Sequence, residues 1–262
     1  MTHRYNGRRA LITGGGSGIG QATVLRILAE GGSVVAADVS PEGLGDTAAK
    51  AAEDGERLKT VVVDIADEQS VRAAVATGIE HLGGLDVLVN AAGILRSSHT
   101  EKTPLADFEL VIRVNLVGTF LMIREALPAL IESGSGAVVN FSSTSAAFAH
   151  PYMSAYAASK GGIQSMTHAL AAEFSKQNVR FTAVQPGSIS SGMTDGSGQS
   201  KQSIGPGLPE DADYSLLMKL QPGLGQGFAG PETVAGVVAM LASEDGRFIT
   251  GTEVRIDGGT HY

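Results

Sequence analysis

The chain has 262 residues, 43% of them hydrophobic and 18% charged, with a formal charge of −8 and no cysteine. These values describe an ordinary globule with one large core. They exclude disulfides, thiolate nucleophiles and Cys-based zinc sites, and argue against nucleic acid or an anionic membrane as partner, since both need a concentrated positive surface. His3, His81, His99, His150, His168 and His261 are scattered without metal-ligand spacing, so no metal site is expected. The opening MTHRYNGRRALITGGG lacks a long apolar leader core, and no run of roughly 18 uninterrupted apolar residues follows, so the chain is expected to be cytosolic.

In chain order, the β-branched runs RALIT, SVVAA, TVVV, DVLV, GAVVNF, VRFTAV and EVRI read as strands, spaced by enough residues for crossover helices. Near-continuous apolar strands imply burial on both faces. The expectation is a doubly wound, Rossmann-type α/β fold with a mostly parallel sheet of about seven strands. Helices are predicted over Ile19 to Glu30, Glu68 to His81, Asp107 to about Ser133, with a kink at Pro128, Ser154 to Gln177 and Pro231 to Ser243. No linker divides the chain, which reads as a single domain over 1–262. The glycine-rich stretch from Gly187 to Gly230 reads as a mobile substrate-binding loop, interrupted by a short helix around Asp211 to Leu220.

The first strand runs into Thr13-Gly14-Gly15-Gly16-Ser17-Gly18-Ile19-Gly20 and then a helix. Glycines let the backbone approach a pyrophosphate, whose charge then meets the free N–H groups at the helix start. The spacing, glycine at 14, 18 and 20, is not a strict GxGxxG. A P-loop is disfavoured because Gln21 and Ala22 occupy the places of its lysine and hydroxyl. Asp38, ending the second strand, is placed to accept hydrogen bonds from adenosine ribose hydroxyls, and a 2′-phosphate there would meet repulsion of several kcal/mol at an effective dielectric of about 20. NAD is therefore the expected cofactor.

Tyr156 and Lys160 stand four residues apart, on one helical face, with Ser143 upstream in NFSSTSAA. A cation beside a phenol favours phenolate, so the pair reads as an acid/base device in which Lys160 lowers the Tyr156 pKa.

With these motifs the chain resembles the short-chain dehydrogenase/reductase family from Arg8 to Gly259. TGGGSGIG is similar to its cofactor motif, Asn90-Ala91-Ala92-Gly93 to its NAAG strand end, and Asn115, Ser143, Tyr156 and Lys160 to its four catalytic positions. Pro186-Gly187 resembles the turn under the nicotinamide. The resemblance implies hydride transfer between NAD(H) and a secondary alcohol or ketone. Tyr156 would be the general acid/base, Ser143 would hold the substrate oxygen, Lys160 the nicotinamide ribose, and Asn115 a water on a proton path. It implies cofactor contacts from Gly14, Ser17, Gly18, Ile19, Gly20, Asp38, Asp64, Ile65, Asn90, Ala91, Ala92, Gly93, Pro186, Gly187, Ile189 and Ser191, besides Tyr156 and Lys160. The family often carries threonine where this chain has Ser191. Ser142 is set aside because strand alternation points it away from Ser143.

The alternatives are a 3-oxoacyl-(acyl-carrier-protein) type reductase, disfavoured by the acidic charge and Asp38, and a non-catalytic NAD-binding regulator, disfavoured by the intact catalytic set. The expected partners are a small alcohol or ketone and copies of the chain in a homotetramer, its helices from Asp107 and Ser154 packing against their mates. His99, His150, Tyr152 and Met153 are expected to edge the substrate pocket, and the ending GGTHY to reach a neighbouring site.

Overall fold

The computed structural model describes residues 3–194, 206–225 and 227–261. Seven strands form one sheet, parallel throughout, in the order β3-β2-β1-β4-β5-β6-β7: β1 Arg9–Thr13, β2 Ser33–Asp38, β3 Leu58–Val62, β4 Val87–Asn90, β5 Ala137–Phe141, β6 Arg180–Pro186 and β7 Thr252–Ile256. The helices are α1 Gly18–Ala29, α2 Pro41–Ala51, α3 Glu68–Leu82, α4 Leu105–Ile112, α5 Gly118–Glu132, α6 Ser154–Phe174 and α7 Pro231–Ala242.

Alternation along the strands sorts the core into two layers. In β1, Ala10 and Ile12 face one side with Val34, Val89 and Val139, where α1, α2 and α7 contribute Ile27, Leu44 and Val238. Leu11 faces the other side with Val35, Leu88 and Phe181, against Val75 of α3, Met122 of α5 and Ala171 of α6. Both faces of β1, β2, β4, β5 and β6 are covered, which is why these strands read as near-continuous apolar runs, whereas the edge strands β3 and β7 are partly exposed.

Strand order reverses beside β1. Thr13 is paired with Ala37 of β2 on one side and with Asn90 of β4 on the other. The chain therefore leaves β1 and β4 in opposite directions and opens a crevice at their carboxyl ends, where ligands bind in sheets of this kind.

Three elements differ from the sequence reading. Helix α2 was not predicted, although Ser40 caps it by accepting from Gly43 N (3.1 Å) and Pro41 opens it. Gly43 and Gly45 weaken its helical signal. Gly43 is required by packing: a Cβ there would stand 2.8 Å from the Gly16 carbonyl oxygen.

The single helix expected from Asp107 is instead α4 and α5 joined by a π turn, Arg113–Val117, and α5 continues through Pro128. By length and composition Leu105–Glu132 is apolar enough to cross a membrane, although Arg113 and Arg124 interrupt its apolar run; half of its most apolar window is buried inside the protein. The helix expected at Asp211 to Leu220 is two short 3₁₀ turns, Tyr214–Leu216 and Met218–Leu220. Part of the predicted mobile loop, 195–205 and 226, lies outside the described residues, as does Tyr262 of the GGTHY ending.

Candidate active site

A cavity of about 580 Å³ runs from the turn after β1, over the carboxyl ends of β4 and β5, to the residues following β6. Its first section is made of backbone. Gly14 adopts φ +69°, and a Cβ on it would lie 2.8 Å from Ala92 N; a Cβ on Gly20 would lie 2.0 Å from Gly14 O. Side chains at either place would fill the cradle. Ser17 precedes α1 without a side-chain cap, and the first turn of α1 holds no acidic residue, so its N–H groups and positive dipole end face the cavity uncompensated. Gly18 and Ile19 line the same section.

Gln21 is turned away from the cradle. Its amide donates to Thr47 Oγ1 (2.8 Å) and Asp46 Oδ2 (3.0 Å), while Thr47 Oγ1 donates to Gly15 O (2.7 Å). Helix α2 thus clamps the glycine turn from behind.

Asp38 lines the cavity with each carboxylate oxygen accepting one backbone N–H, from Gly16 and from Ser40, both at 2.9 Å. Each oxygen retains capacity for a further donor. Gly16 is a site residue whose role the sequence reading missed: a Cβ there would stand 2.9 Å from Asp38 Cγ. After β3, exposed Asp64 and buried Ile65 line the next stretch.

The predicted run at β4 divides. Ala91, Ala92 and Gly93 line the cavity. Asn90 does not: it is buried, and its Nδ2 donates to Asn140 Oδ1 (2.9 Å), whose own Nδ2 donates to Thr167 Oγ1 (2.9 Å). That chain fastens β4 to β5 and α6.

Asn115 sits in the π turn with no solvent exposure. Its Oδ1 accepts from Ile94 N (2.8 Å), and its Nδ2 donates to Ile94 O (2.9 Å) and Ser159 Oγ (3.0 Å). The side chain is consumed in holding the β4 exit loop to α6, and Thr119 Oγ1 donates to its backbone carbonyl (2.7 Å). The extra residue of a π turn is what turns Asn115 inward. A Cβ on Gly93 would lie 3.1 Å from Asn115 Oδ1 and 3.6 Å from Lys160 Nζ, so these three groups converge.

Ser143 follows β5 in extended conformation; its Oγ accepts from Ser145 N (3.1 Å) and hydrogen-bonds Tyr156. Ser142 points the other way, as alternation predicts, donating to Lys160 O (3.1 Å). Lys160 is buried, with Nζ donating to Phe141 O (2.7 Å) and lying 5.5 Å from the centroid of the Tyr156 ring.

The expected lowering of the Tyr156 pKa by Lys160 needs correction. Burial pushes the phenol up to about 12, opposed only by the Ser143 hydrogen bond. Burial also pushes Lys160 down to about 8. Both groups are withdrawn from water, which disfavours the charged form of each. At neutral pH burial thus keeps the phenol in its protonated, acid form.

Beyond β6, Pro186 and Gly187 line the cavity. A Cβ on Gly187 would be 2.7 Å from Asp257 Cβ. Ile189 is buried and bridges to Ala229. Ser191 lies against the cradle, its Cβ 3.3 Å from where a Gly18 Cβ would be, and its Oγ is 3.3 Å from Thr194 Oγ1. Thr194, unrecognised in sequence, lines the cavity and donates to Ile189 O (2.6 Å). A threonine hydroxyl therefore stands beside Ser191 after all, from three residues downstream.

Of the expected pocket-edge residues, His150 and Met153 line the cavity. His99 and Tyr152 stand one layer out, where His99 Nε2 meets Asp211 Oδ1 (2.8 Å) and Tyr152 Oη accepts from Asp213 N (2.8 Å). They clasp the segment that brings Leu208 and Leu217 over the cavity. Among the described residues, no group of three or more His, Cys, Asp or Glu is placed to hold a metal.

With this geometry established, the comparisons with known proteins agree with one another. The family model described as short chain dehydrogenase matches residues 8–202. The chain is similar to levodione reductase of Leifsonia aquatica, 38% identical over 262 residues covering 98% of this chain and 96% of that protein. It is similar also to a 3-oxoacyl-(acyl-carrier-protein) reductase of Thermotoga maritima, 36% identical over 256 residues and 98% of each. A short chain dehydrogenase from Mycobacterium paratuberculosis, solved bound to NAD, superposes with a TM-score of 0.89 at 31% identity, covering 98% of both chains.

Proposed function

The chain belongs to the short-chain dehydrogenase/reductase family, a family of oxidoreductases using nicotinamide cofactors, and from that premise we propose that it transfers a hydride between NAD(H) and a small secondary alcohol or ketone, with Tyr156 as acid/base. One observation carries the reading: a single cavity joins the glycine cradle and Asp38 at one end to Ser143, Tyr156 and Lys160 at the other. The residues fit a dinucleotide. Gly14 to Gly20 would hold the pyrophosphate, Asp38 the adenosine ribose, Asp64 and Ile65 the adenine, and Ala91 to Gly93, Pro186 to Ile189, Ser191 and Thr194 the nicotinamide half.

When bound, the nicotinamide supplies a hydride donor or acceptor at its ring C4. In the reductive direction the Tyr156 phenol, held neutral by burial, gives its proton to the carbonyl oxygen as negative charge builds there. Ser143 stabilises the same oxygen by donating its hydroxyl hydrogen, since its Oγ already accepts from Ser145 N. In oxidation the phenolate is the base, with the Lys160 ammonium 5.5 Å from the centroid of its ring. Asn115 acts by position, holding the Ile94 backbone and, through Ser159, the helix that carries Tyr156 and Lys160.

Asp38 supports NAD over NADP because the cradle offers no cation beside it. A second reading, reduction of a 3-oxoacyl group on a carrier protein, is supported by the Thermotoga maritima relative and opposed by Asp38 and the charge of −8. Assay of wild type and Tyr156→Phe with NAD(H) and NADP(H) against a panel of alcohols, ketones and a 3-oxoacyl thioester, followed by nicotinamide absorbance, separates them. A marked NADPH preference with thioester turnover would reverse the assignment.

The rest of the reading is a single cytosolic domain that binds substrate beside its 187–194 and 206–225 stretches, assembled as a homotetramer. Leu105 (70% exposed) and Phe120 (44%) on the α4–α5 stretch, with Phe248 (100%) before β7, are apolar surface that copies of the chain would cover. Gly162 of α6 serves the protomer itself, since a Cβ there would be 2.8 Å from Leu116 Cδ2. Light scattering on the eluted protein measures the assembly directly.

A further inference from the structure

Beyond Ser143 and Tyr156 the cavity wall carries a polar feature that hydride transfer does not use. His150 and Thr144 both line it, with His150 Nε2 3.3 Å from Thr144 Oγ1. The other ring nitrogen, Nδ1, lies 3.2 Å from the Phe148 carbonyl oxygen. A carbonyl only accepts, so Nδ1 holds the proton and Nε2 is the acceptor; it is met here by the Thr144 hydroxyl, which has the Pro186 carbonyl oxygen (3.5 Å) as a second acceptor and can release Nε2 to a donor entering the cavity. Burial and the nearby His261 both push the His150 pKa down, keeping the ring neutral.

The imidazole is braced as well as oriented. The Phe148 ring stacks on His261, centroids 4.1 Å apart and planes inclined by 17°, and carries the Arg255 guanidinium 5.1 Å from its centroid. His261 is in turn tied to buried Asp257 through its backbone N–H and Nδ1, both at 3.1 Å. The last turn of the chain thus fixes a wall of the pocket.

A fixed neutral acceptor selects a ligand atom that brings a hydrogen. Thr144 follows Ser143 directly, so their Cα atoms are about 3.8 Å apart, and both line one cavity with His150 and Tyr156. We propose that the substrate is a diol, or in reverse its hydroxyketone, whose second hydroxyl sits on the carbon adjacent to the reacting one or the next, and donates to His150 Nε2. This rests on the dehydrogenase reading above. The second hydroxyl undergoes no bond change: in oxidation the reacting C–H and O–H bonds break, NAD⁺ would take the hydride, the Tyr156 phenolate takes the proton and becomes the phenol, and C=O forms.

The competing recognition group is Arg96, which lines the same cavity, has no carboxylate partner among the described residues and donates to Leu95 O (2.7 Å). It would read an acidic substrate instead.

The test compares kcat/KM of the full-length enzyme with NAD⁺ for butane-2,3-diol, butan-2-ol and 3-hydroxybutanoate, and for cyclohexane-1,2-diol and cyclohexanol. Wild type should favour each diol over its mono-alcohol by about tenfold or more, the size of one hydrogen bond in a site built for it. His150→Leu should bring that ratio to within about threefold of unity by lowering kcat/KM for the diol, and His150→Gln, which keeps an acceptor, should restore part of it. Equal turnover of diol and mono-alcohol by wild type, an equal loss on both in His150→Leu, or a preference for 3-hydroxybutanoate would overturn the diol assignment alone. Bound NADH with no turnover of any alcohol or ketone would overturn the dehydrogenase reading and the diol assignment together.

Discussion

The two ends of the cavity are built by different means. At the β1–β2 end, backbone does the shaping: Gly14, Gly16 and Gly20 stand where a Cβ would meet Ala92, Asp38 or Gly14 itself at 2.9 Å or less, and the sheet register sets their positions. At the β5–β7 end, side chains distant in sequence meet: His99 with Asp211, Tyr152 with Asp213, Phe148 with His261. The first kind of construction leaves a mark in local sequence, because a missing Cβ is a residue type. The second leaves none, because a histidine or an aspartate has the same local appearance whether or not it has a partner 112 residues away.

The contrast can be broken experimentally, and the largest effect is expected at the reacting atoms. Tyr156→Phe should lower kcat by about 10³-fold or more, at the upper part of the range for a general acid, while the NADH dissociation constant stays within about threefold. Stopped-flow turnover and fluorescence titration measure the two separately. Next comes the cradle. Gly14→Ala places a Cβ 2.8 Å from Ala92 N in a left-handed conformation and should weaken NADH binding at least tenfold while lowering the melting temperature. A variant that binds NADH normally would show that the cradle tolerates the side chain.

Lys160→Met tests the cost of burying this cation. The folded pKa of about 8 lies below the ordinary lysine value, so the fold favours the neutral amine. Below pH 8 the native state carries the full penalty of the buried ammonium, and the penalty fades as pH rises from about 8 toward the unfolded value near 10.4. Denaturant melts should therefore show Lys160→Met stabilised by about 3 kcal/mol at pH 6, with the gain largely gone by pH 10. An advantage independent of pH would place its origin in packing.

The smallest change is expected at the far wall. Asp211→Asn weakens the pairing with His99 and with Lys102, whose Nζ lies 3.7 Å away, on an exposed segment. It should raise KM for substrate by about two- to fivefold and leave NADH binding untouched, because exposed pairs contribute little and salt screens them. Steady-state kinetics at 20 and 300 mM salt should show the wild-type advantage shrinking as salt rises.

Helix α2 and the π turn show where sequence reading stops. Gly43 lowers the helical signal of α2, yet it is there so that the helix can lie against Gly16. Asn115 was identified as a site residue by resemblance, but its work, three hydrogen bonds to Ile94 and Ser159, depends on a turn geometry that no residue type announces. Asn90 shows the reverse. It belongs to a recognisable motif, and the fold uses it to join β4 to β5 rather than to line the cleft. Thr194 went unrecognised because its value lies only in standing beside Ser191.

By itself the sequence determined the doubly wound sheet, the glycine cradle, the carboxylate at Asp38 and the serine, tyrosine and lysine of the reacting centre. Each is written in local periodicity, in residues lacking a Cβ or in short spacings, and those properties hold before the chain folds. Tertiary structure decided the protonation of the pair, because desolvation depends on what surrounds Tyr156 and Lys160. It decided the role of Asn90, the accessory hydroxyl of Thr194 and the wall formed by His150, Phe148 and His261, because each of these is a meeting of side chains that only the packed fold brings within reach.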